Sequence, residues 1–433
     1  MLNFIKYENS TNFFTKSLNF CKRYFKEKFP LKILFIFLFV ITLFIYFQLF
    51  NFNGFYECKS VVYAEVVDSH NEEDFNKQID ETIDNFDYSI LDKILSTLTD
   101  ESKTIFGEFN FSSKIRTLID GDFKDDSSTF IGACLSLIFD DVLEFLPILC
   151  IIVAIAILCG FVGQLQAGIG GKTLNDVIHF VCYGIIIAII ATIVFEVVSL
   201  TSEALISIKT QMEVVFPILL TLIASVGGSV SVSVFQPSIV LLSSGIMQIF
   251  NNIIVPIFII SIVFIIAQNI SKNVQFTKFT NFFQSAFKWT IGSIFTIFFA
   301  FLSINGIVAN TYDGISIRTA KFTMKSYVPF VGGYLSDGFD LILSSSVLIK
   351  NAVGATGLML LLATVAVPII KIVILIFGFK LTSAILEPIA DSRISSFIFS
   401  VSKALNMLVA CLLAVAFMYL LSVGVLMCTC NIF

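Results

Sequence analysis

The chain has 433 residues, 57% hydrophobic and only 14% charged, with a formal net charge of -5. Soluble domains carry about 25% charged residues, so this composition cannot coat a water-facing surface and excludes an ordinary soluble domain. The nine cysteines lie mostly in apolar runs without a C-x-x-C or Cys/His spacing, and His70 and His179 are far apart, so no metal, redox site or other cofactor is expected.

Residues 1–32 hold Lys6, Lys16, Lys22, Arg23, Lys26, Lys28 and Lys32 against Glu8 and Glu27, and an uncharged run follows at 33–50. By the positive-inside rule this predicts a cytoplasmic basic N-terminus and export of what comes next. Val62-Tyr63-Ala64 offers the small residues of a processing site, so a signal anchor and a cleaved signal peptide both fit 33–50. Residues 51–144 read as an acidic external domain, since 65–126 contains 17 Asp and Glu against 6 Lys and Arg. That charge is the opposite of a nucleic-acid footprint, and no nucleic-acid partner is expected. Apolar residues at Ile79, Ile83, Phe86, Ile90, Leu91, Ile94, Leu95 and Leu98 recur at helical spacing, which makes the domain at least partly amphipathic helix.

Residues 145–433 read as a multi-spanning membrane domain. Apolar runs at about 145–163, 177–198, 239–267, 290–309, 352–379 and 404–427 each approach or exceed the roughly 20 residues that a helix needs to cross ~30 Å of hydrocarbon. The fold class is therefore an all-α polytopic bundle in contact with lipid, with an external helical domain before it. Asn251, Asn252 and Pro256 suggest a broken third span. The stretches 199–237 and 310–351 hold glycines, polar residues and short apolar pieces, and are expected to be re-entrant or interfacial. Lys172, Lys272, Lys278, Lys288, Lys380, Arg393 and Lys403 mark the cytoplasmic loops. Arg318, Lys321, Lys325 and Lys350 fall on the other side and run against that rule.

Three spans contain alike tripeptides, Leu146-Pro147-Ile148, Val255-Pro256-Ile257 and Val367-Pro368-Ile369, and Ile206-Ser207-Ile208-Lys209-Thr210 matches Ile315-Ser316-Ile317-Arg318-Thr319. Tandem units of about 110 residues, each with an even number of crossings, would place these motifs alike.

Chemical motifs are scarce. Gly168-Ile169-Gly170-Gly171-Lys172-Thr173 looks like a phosphate loop, but Gln166 replaces the required leading glycine and no strand precedes it. No nucleophile, zinc or carboxylate-histidine constellation points to an enzyme. Few ionisable groups lie near membrane depth: Asp140, Asp141, Glu144, Glu196 and Lys371. Lys371 sits furthest into its span, and such a charge is expected to face protein or a cavity. Gly227-Gly228 and Gly332-Gly333, with Phe235-Gln236-Pro237, mark backbone expected to leave the helix, along a cavity or at the membrane surface. Lys371, Gln236, Gly227, Gly228, Gly332, Gly333 and Arg318 are thus the candidate pore- or partner-facing positions.

From about Phe161 onward the chain resembles the stage III sporulation protein AE family of endospore-forming bacteria. The resemblance rests on Gly163-Gln164-Leu165-Gln166, Gly171-Lys172 with Asp176, and Phe235-Gln236-Pro237. It continues through Asp313-Gly314 with Arg318-Thr319-Ala320-Lys321-Phe322, Pro329-Phe330-Val331-Gly332-Gly333 with Leu335-Ser336-Asp337, Leu348-Ile349-Lys350-Asn351-Ala352-Val353-Gly354, and Glu387-Pro388-Ile389 with Asp391 and Arg393. This resemblance implies a channel or export-gate subunit in the mother-cell membrane around the forespore, needed for spore development after engulfment. It implies as partners a secretion-type ATPase and ring-forming proteins, and offers no catalytic residues to carry over. A stand-alone secondary transporter for a small solute is the competing class, favoured by the repeat and the broken helix.

Overall fold

A computed structural model describes residues 126–166, 172–270, 276–327 and 332–429. The cytoplasmic segment 1–32, the run 33–50, the amphipathic stripe at Ile79–Leu98 and most of the phosphate-loop-like run lie outside the described residues. Helices α1 (Asp126–Gln166), α2 (Lys172–Ser225) and α3 (Ser229–Ile249) come first. A π-helical turn (Phe250–Ile254) then leads into α4 (Val255–Ile270), α5 (Thr277–Tyr327), α6 (Gly332–Leu386) and α7 (Ser392–Cys428). No strand occurs among the described residues, as lipid requires of a chain that must satisfy its own backbone hydrogen bonds within each segment. Among the described residues, six stretches are long and apolar enough to cross a membrane.

The helices are longer than the apolar runs. α2 has 54 residues and α6 has 55, which at 1.5 Å per residue makes rods of about 80 Å. Residues 199–225 and 310–327, expected to be re-entrant or interfacial, simply extend α2 and α5. Phe235-Gln236-Pro237, expected to leave the helix, lies inside α3. Pro147, Pro217 and Pro368 are also carried within helices, which is tolerated where neighbouring side chains occupy the gap. At Pro368, which cannot donate to the Thr364 carbonyl, the Gln211 amide from α2 donates to the Thr364 hydroxyl. The expected break at Asn251 and Asn252 is the π turn, and the rod continues through it.

Connections of a few residues join consecutive rods at alternate ends, at 167–171, 226–228, 271–276, 328–331 and 387–391, and helices so joined pack as antiparallel neighbours. The result is three consecutive hairpins: α1 with α2, α3–α4 with α5, and α6 with α7. The third is the core. α6 packs on α1, α2, α5 and α7, while α7 packs on α2, α4, α5 and α6. α1 and α5 are the least buried rods.

Between helices in lipid there is no hydrophobic driving force, so small residues and hydrogen bonds hold the bundle. A Cβ at Gly357 would lie 2.9 Å from Val215, one at Gly378 2.6 Å from Leu149, and one at Gly160 2.8 Å from the Ile389 carbonyl. Ser383 and Ser395 exchange hydrogen bonds of 2.9 Å across the base of the third hairpin. There Asp391 caps α7, accepting from the Arg393 backbone at 2.9 Å and binding its guanidinium at 3.0 Å. The Tyr183 hydroxyl donates to the Ile266 carbonyl at 2.9 Å, and its ring meets Phe397 edge-on at 5.2 Å. One aromatic residue thus ties all three hairpins together.

Candidate functional site

Four rods share a layer without charge. No Asp, Glu, Lys or Arg occurs in 229–270, 289–312, 351–370 or 404–428, and contacts between the rods align these runs. Ile246, Ile249, Phe250 and Ile254 line one apolar crevice with Ile291 and Ile294 of α5 and Cys411, Ala414, Val415 and Met418 of α7. Phe295 stacks on Phe417 at 5.6 Å, and the Tyr419 hydroxyl reaches the Gly357 carbonyl at 3.5 Å.

α2 enters the same layer differently. Phe216 packs on Tyr419 with ring centroids 5.5 Å apart, and Gln211 binds Thr364. The neighbouring Lys209 and Glu213 therefore lie at the depth of the uncharged runs, with Glu203 at their edge. Glu203 and Glu213 are exposed. The Ser199 hydroxyl donates to Glu203 at 3.2 Å, and Lys209 pairs with Glu213 at 3.4 Å. The exposed face of α3 and the π turn is largely polar at this depth too, with Gln236, Ser244, Gln248 and Asn252 four or eight residues apart, Asn251 beside them and only Val240 breaking the row. By contrast, α5 exposes Ile297, Phe299, Phe301, Ile304 and Ile307. One side of the layer thus presents amides, hydroxyls and carboxylates, and another presents aliphatic and aromatic groups.

The candidate positions fall into separate places. Gly227 forms the α2–α3 turn with φ +88, a left-handed conformation that costs other residues roughly 1–2 kcal/mol. Gly228 is the N-cap of α3 and has no side chain to offer. Asp313 of α5, fully buried, supplies the cap from outside: its carboxylate accepts from the backbone N–H of Val230 at 3.1 Å and of Ser231 at 3.0 Å, and from the Ser231 hydroxyl. A carboxylate on these orphan donors also opposes the positive end of the helix dipole. Arg318 is exposed on α5 next to Ile317, which approaches Gly227. Gln236 is exposed on α3. Gly332 and Gly333 do not interrupt a helix but begin α6.

Lys371 lies apart from all of these, nearer the opposite end of the rods. Its ammonium is 4.0 Å from the Asp141 carboxylate of α1, with the side chains 17% and 6% exposed. It points into the protein rather than toward lipid. At the far end Lys350, fully buried, donates to the Thr429 carbonyl and fastens the end of α7. Sequence reasoning missed Asp313, Glu203 and Glu213 as site residues. Among the described residues, no cluster of three or more His, Cys, Asp and Glu could hold a metal ion.

These features define a multi-pass membrane protein built of helical hairpins, with its polar groups sorted to one side of an otherwise uncharged layer. The family model for stage III sporulation protein AE matches residues 109–430, and the chain belongs to that family. It is 28% identical over 314 residues to the stage III sporulation protein AE of Bacillus subtilis (strain 168), covering 72% of this chain and 79% of that protein. No solved structure matches.

Proposed function

We propose that this sporulation protein is a channel or export-gate subunit of the complex joining mother cell and forespore, seated in the mother-cell membrane around the forespore. The observation that carries the reading is the one-sided layer: exposed amides and carboxylates at the depth where α5 exposes aliphatic and aromatic groups, with the Thr296 and Ser303 hydroxyls bonded back to their own helix. Polar groups at membrane depth face protein or a water-filled cavity, and a rod with one lipid face and one wet face is what a pore-forming assembly needs. The other subunits, including a secretion-type ATPase and ring-forming proteins, would complete it. The chain itself works without catalytic residues or a cofactor. A deletion strain should grow normally and stop spore formation after engulfment, with no passage of small fluorescent solutes from mother cell to forespore. Normal solute passage in that strain would refute the channel role.

The competing class, a stand-alone secondary transporter, is favoured by one observation, the Asp141–Lys371 pair inside the membrane domain. Uptake of a solute by the purified chain in vesicles would decide for it.

A further inference from the structure

The channel reading leaves open which surface meets the solute, and the inference below rests on that reading. α3, the π turn and α4 contain no charged residue across 42 positions, yet α3 turns a polar stripe outward. Gln236, Ser244, Gln248, Asn251 and Asn252 are all exposed, and the last four lie within the candidate span Ser243–Asn269. The π turn widens the helix where both asparagines sit, and such turns recur at functional sites. α3 packs against α2, which alone among the five rods aligned in this layer brings charge into it. Its exposed charged groups there are Glu203 and Glu213, with Lys209 beside the latter.

In hydrocarbon each unpaired amide would cost several kcal/mol, so the three amides of Gln248, Asn251 and Asn252 within about one turn are incompatible with a lipid-facing surface. We infer that the α2–α3 face lines an aqueous lumen, with Gln236, Ser244, Gln248, Asn251 and Asn252 as an uncharged hydrogen-bonding wall and Glu203 and Glu213 as fixed negative charge. A single chain presents this wall on its outside, so the lumen closes only when further subunits face it. Two carboxylates against one ammonium leave each copy net negative here, and acidic rings favour cations. The solutes that fit are small hydrated cations and neutral polar molecules, in preference to anions.

The test is thiol accessibility in membranes of sporulating cells carrying the assembled complex. Gln248→Cys, Asn252→Cys and, as apolar references, Phe301→Cys and Ile304→Cys are treated with two membrane-impermeant methanethiosulfonates, one bearing a trimethylammonium group and one a sulfonate. The parent chain, with its nine cysteines, sets the background. The lumen predicts full labelling at 248 and 252, none above background at 301 and 304, and severalfold faster reaction with the cationic reagent. Adding Glu203→Gln and Glu213→Gln should remove that preference. No labelling at 248 and 252 would overturn the lumen, because the face would then be covered by protein or lipid. Labelling at 301 and 304 would overturn it too, because the layer would lie outside the membrane. Equal rates for the two reagents would overturn the charge preference. The channel reading fails separately if 248 and 252 are labelled to completion while solute passage to the forespore is undiminished.

Discussion

Replacing Lys371 by Leu separates two environments by the sign of its effect. Were Lys371 at a lipid face, the substitution would remove an unfavourable insertion term of up to about 2.5–3.5 kcal/mol and stabilise the protein. In the structure its ammonium is 4.0 Å from Asp141, whose side chain is only 6% exposed. Losing one partner of a buried pair withdraws the counter-charge from the other, at a cost of up to about 3–5 kcal/mol. The 17% exposure of Lys371 places the expected loss at the lower end. Lys371→Leu should therefore lower the thermal aggregation midpoint of the detergent-extracted protein and impair spore formation. The double variant Lys371→Leu with Asp141→Leu should recover most of that stability, because apolar replacement of a whole buried pair is often neutral. The assay is a double-mutant cycle of aggregation midpoints, with heat-resistant spore counts alongside. A single variant as stable as the parent, or a double variant no better than the single, would refute the pairing.

Three further outcomes follow from the geometry. Asp313→Ala strips the N–H groups of Val230 and Ser231 of their cap and should cost about 1–3 kcal/mol, read as faster proteolysis at the α2–α3 turn; unchanged cleavage would show that the cap is dispensable. Gly160→Ala drives a methyl group to 2.8 Å from the Ile389 carbonyl, a backbone atom that cannot rotate away, so membrane abundance should fall, whereas Gly184→Ala, with nothing within 4 Å, should be silent. Impermeant thiol reagents applied from outside should label a cysteine at Tyr334 and spare one at Phe276, since connections at opposite ends of the rods separate them; labelling at 276 would invert the topology.

The spans were legible because each apolar run approaches or exceeds the length that lipid demands, and the lengths of the rods were not. At 199–213 the charges of Glu203, Lys209 and Glu213 interrupt the apolar run and look like a loop. The helix continues there because its other face is buried: Leu205, Ile208 and Met212 are almost fully covered. Pro237 and Gln236 misled for a similar reason, since a proline marks a break only where nothing else holds the turn. Lys371 could be singled out from its depth alone. Its partner could not, because Asp141 is far off in sequence and reaches it only through packing of α1 on α6. Asp313 carried a family motif without a visible role, and its role as a remote cap depends on Gly228 having no side chain.

The depth of the rods bears on which function class the chain belongs to. α5 exposes large apolar side chains from Phe279, Phe282 and Trp289 through Ile297 and Ile307 to Phe322. At 1.5 Å per residue this face runs about 65 Å along the axis, against the ~30 Å of hydrocarbon in a flat bilayer. No flat placement wets all of it with lipid. Large apolar surface left in water marks a protein interface, so part of this face needs protein over it. A transporter that functions alone has no source for that cover. A subunit that functions within an assembly does, and the length of the apolar face on α5 favours the assembly on grounds independent of the polar stripe on α3.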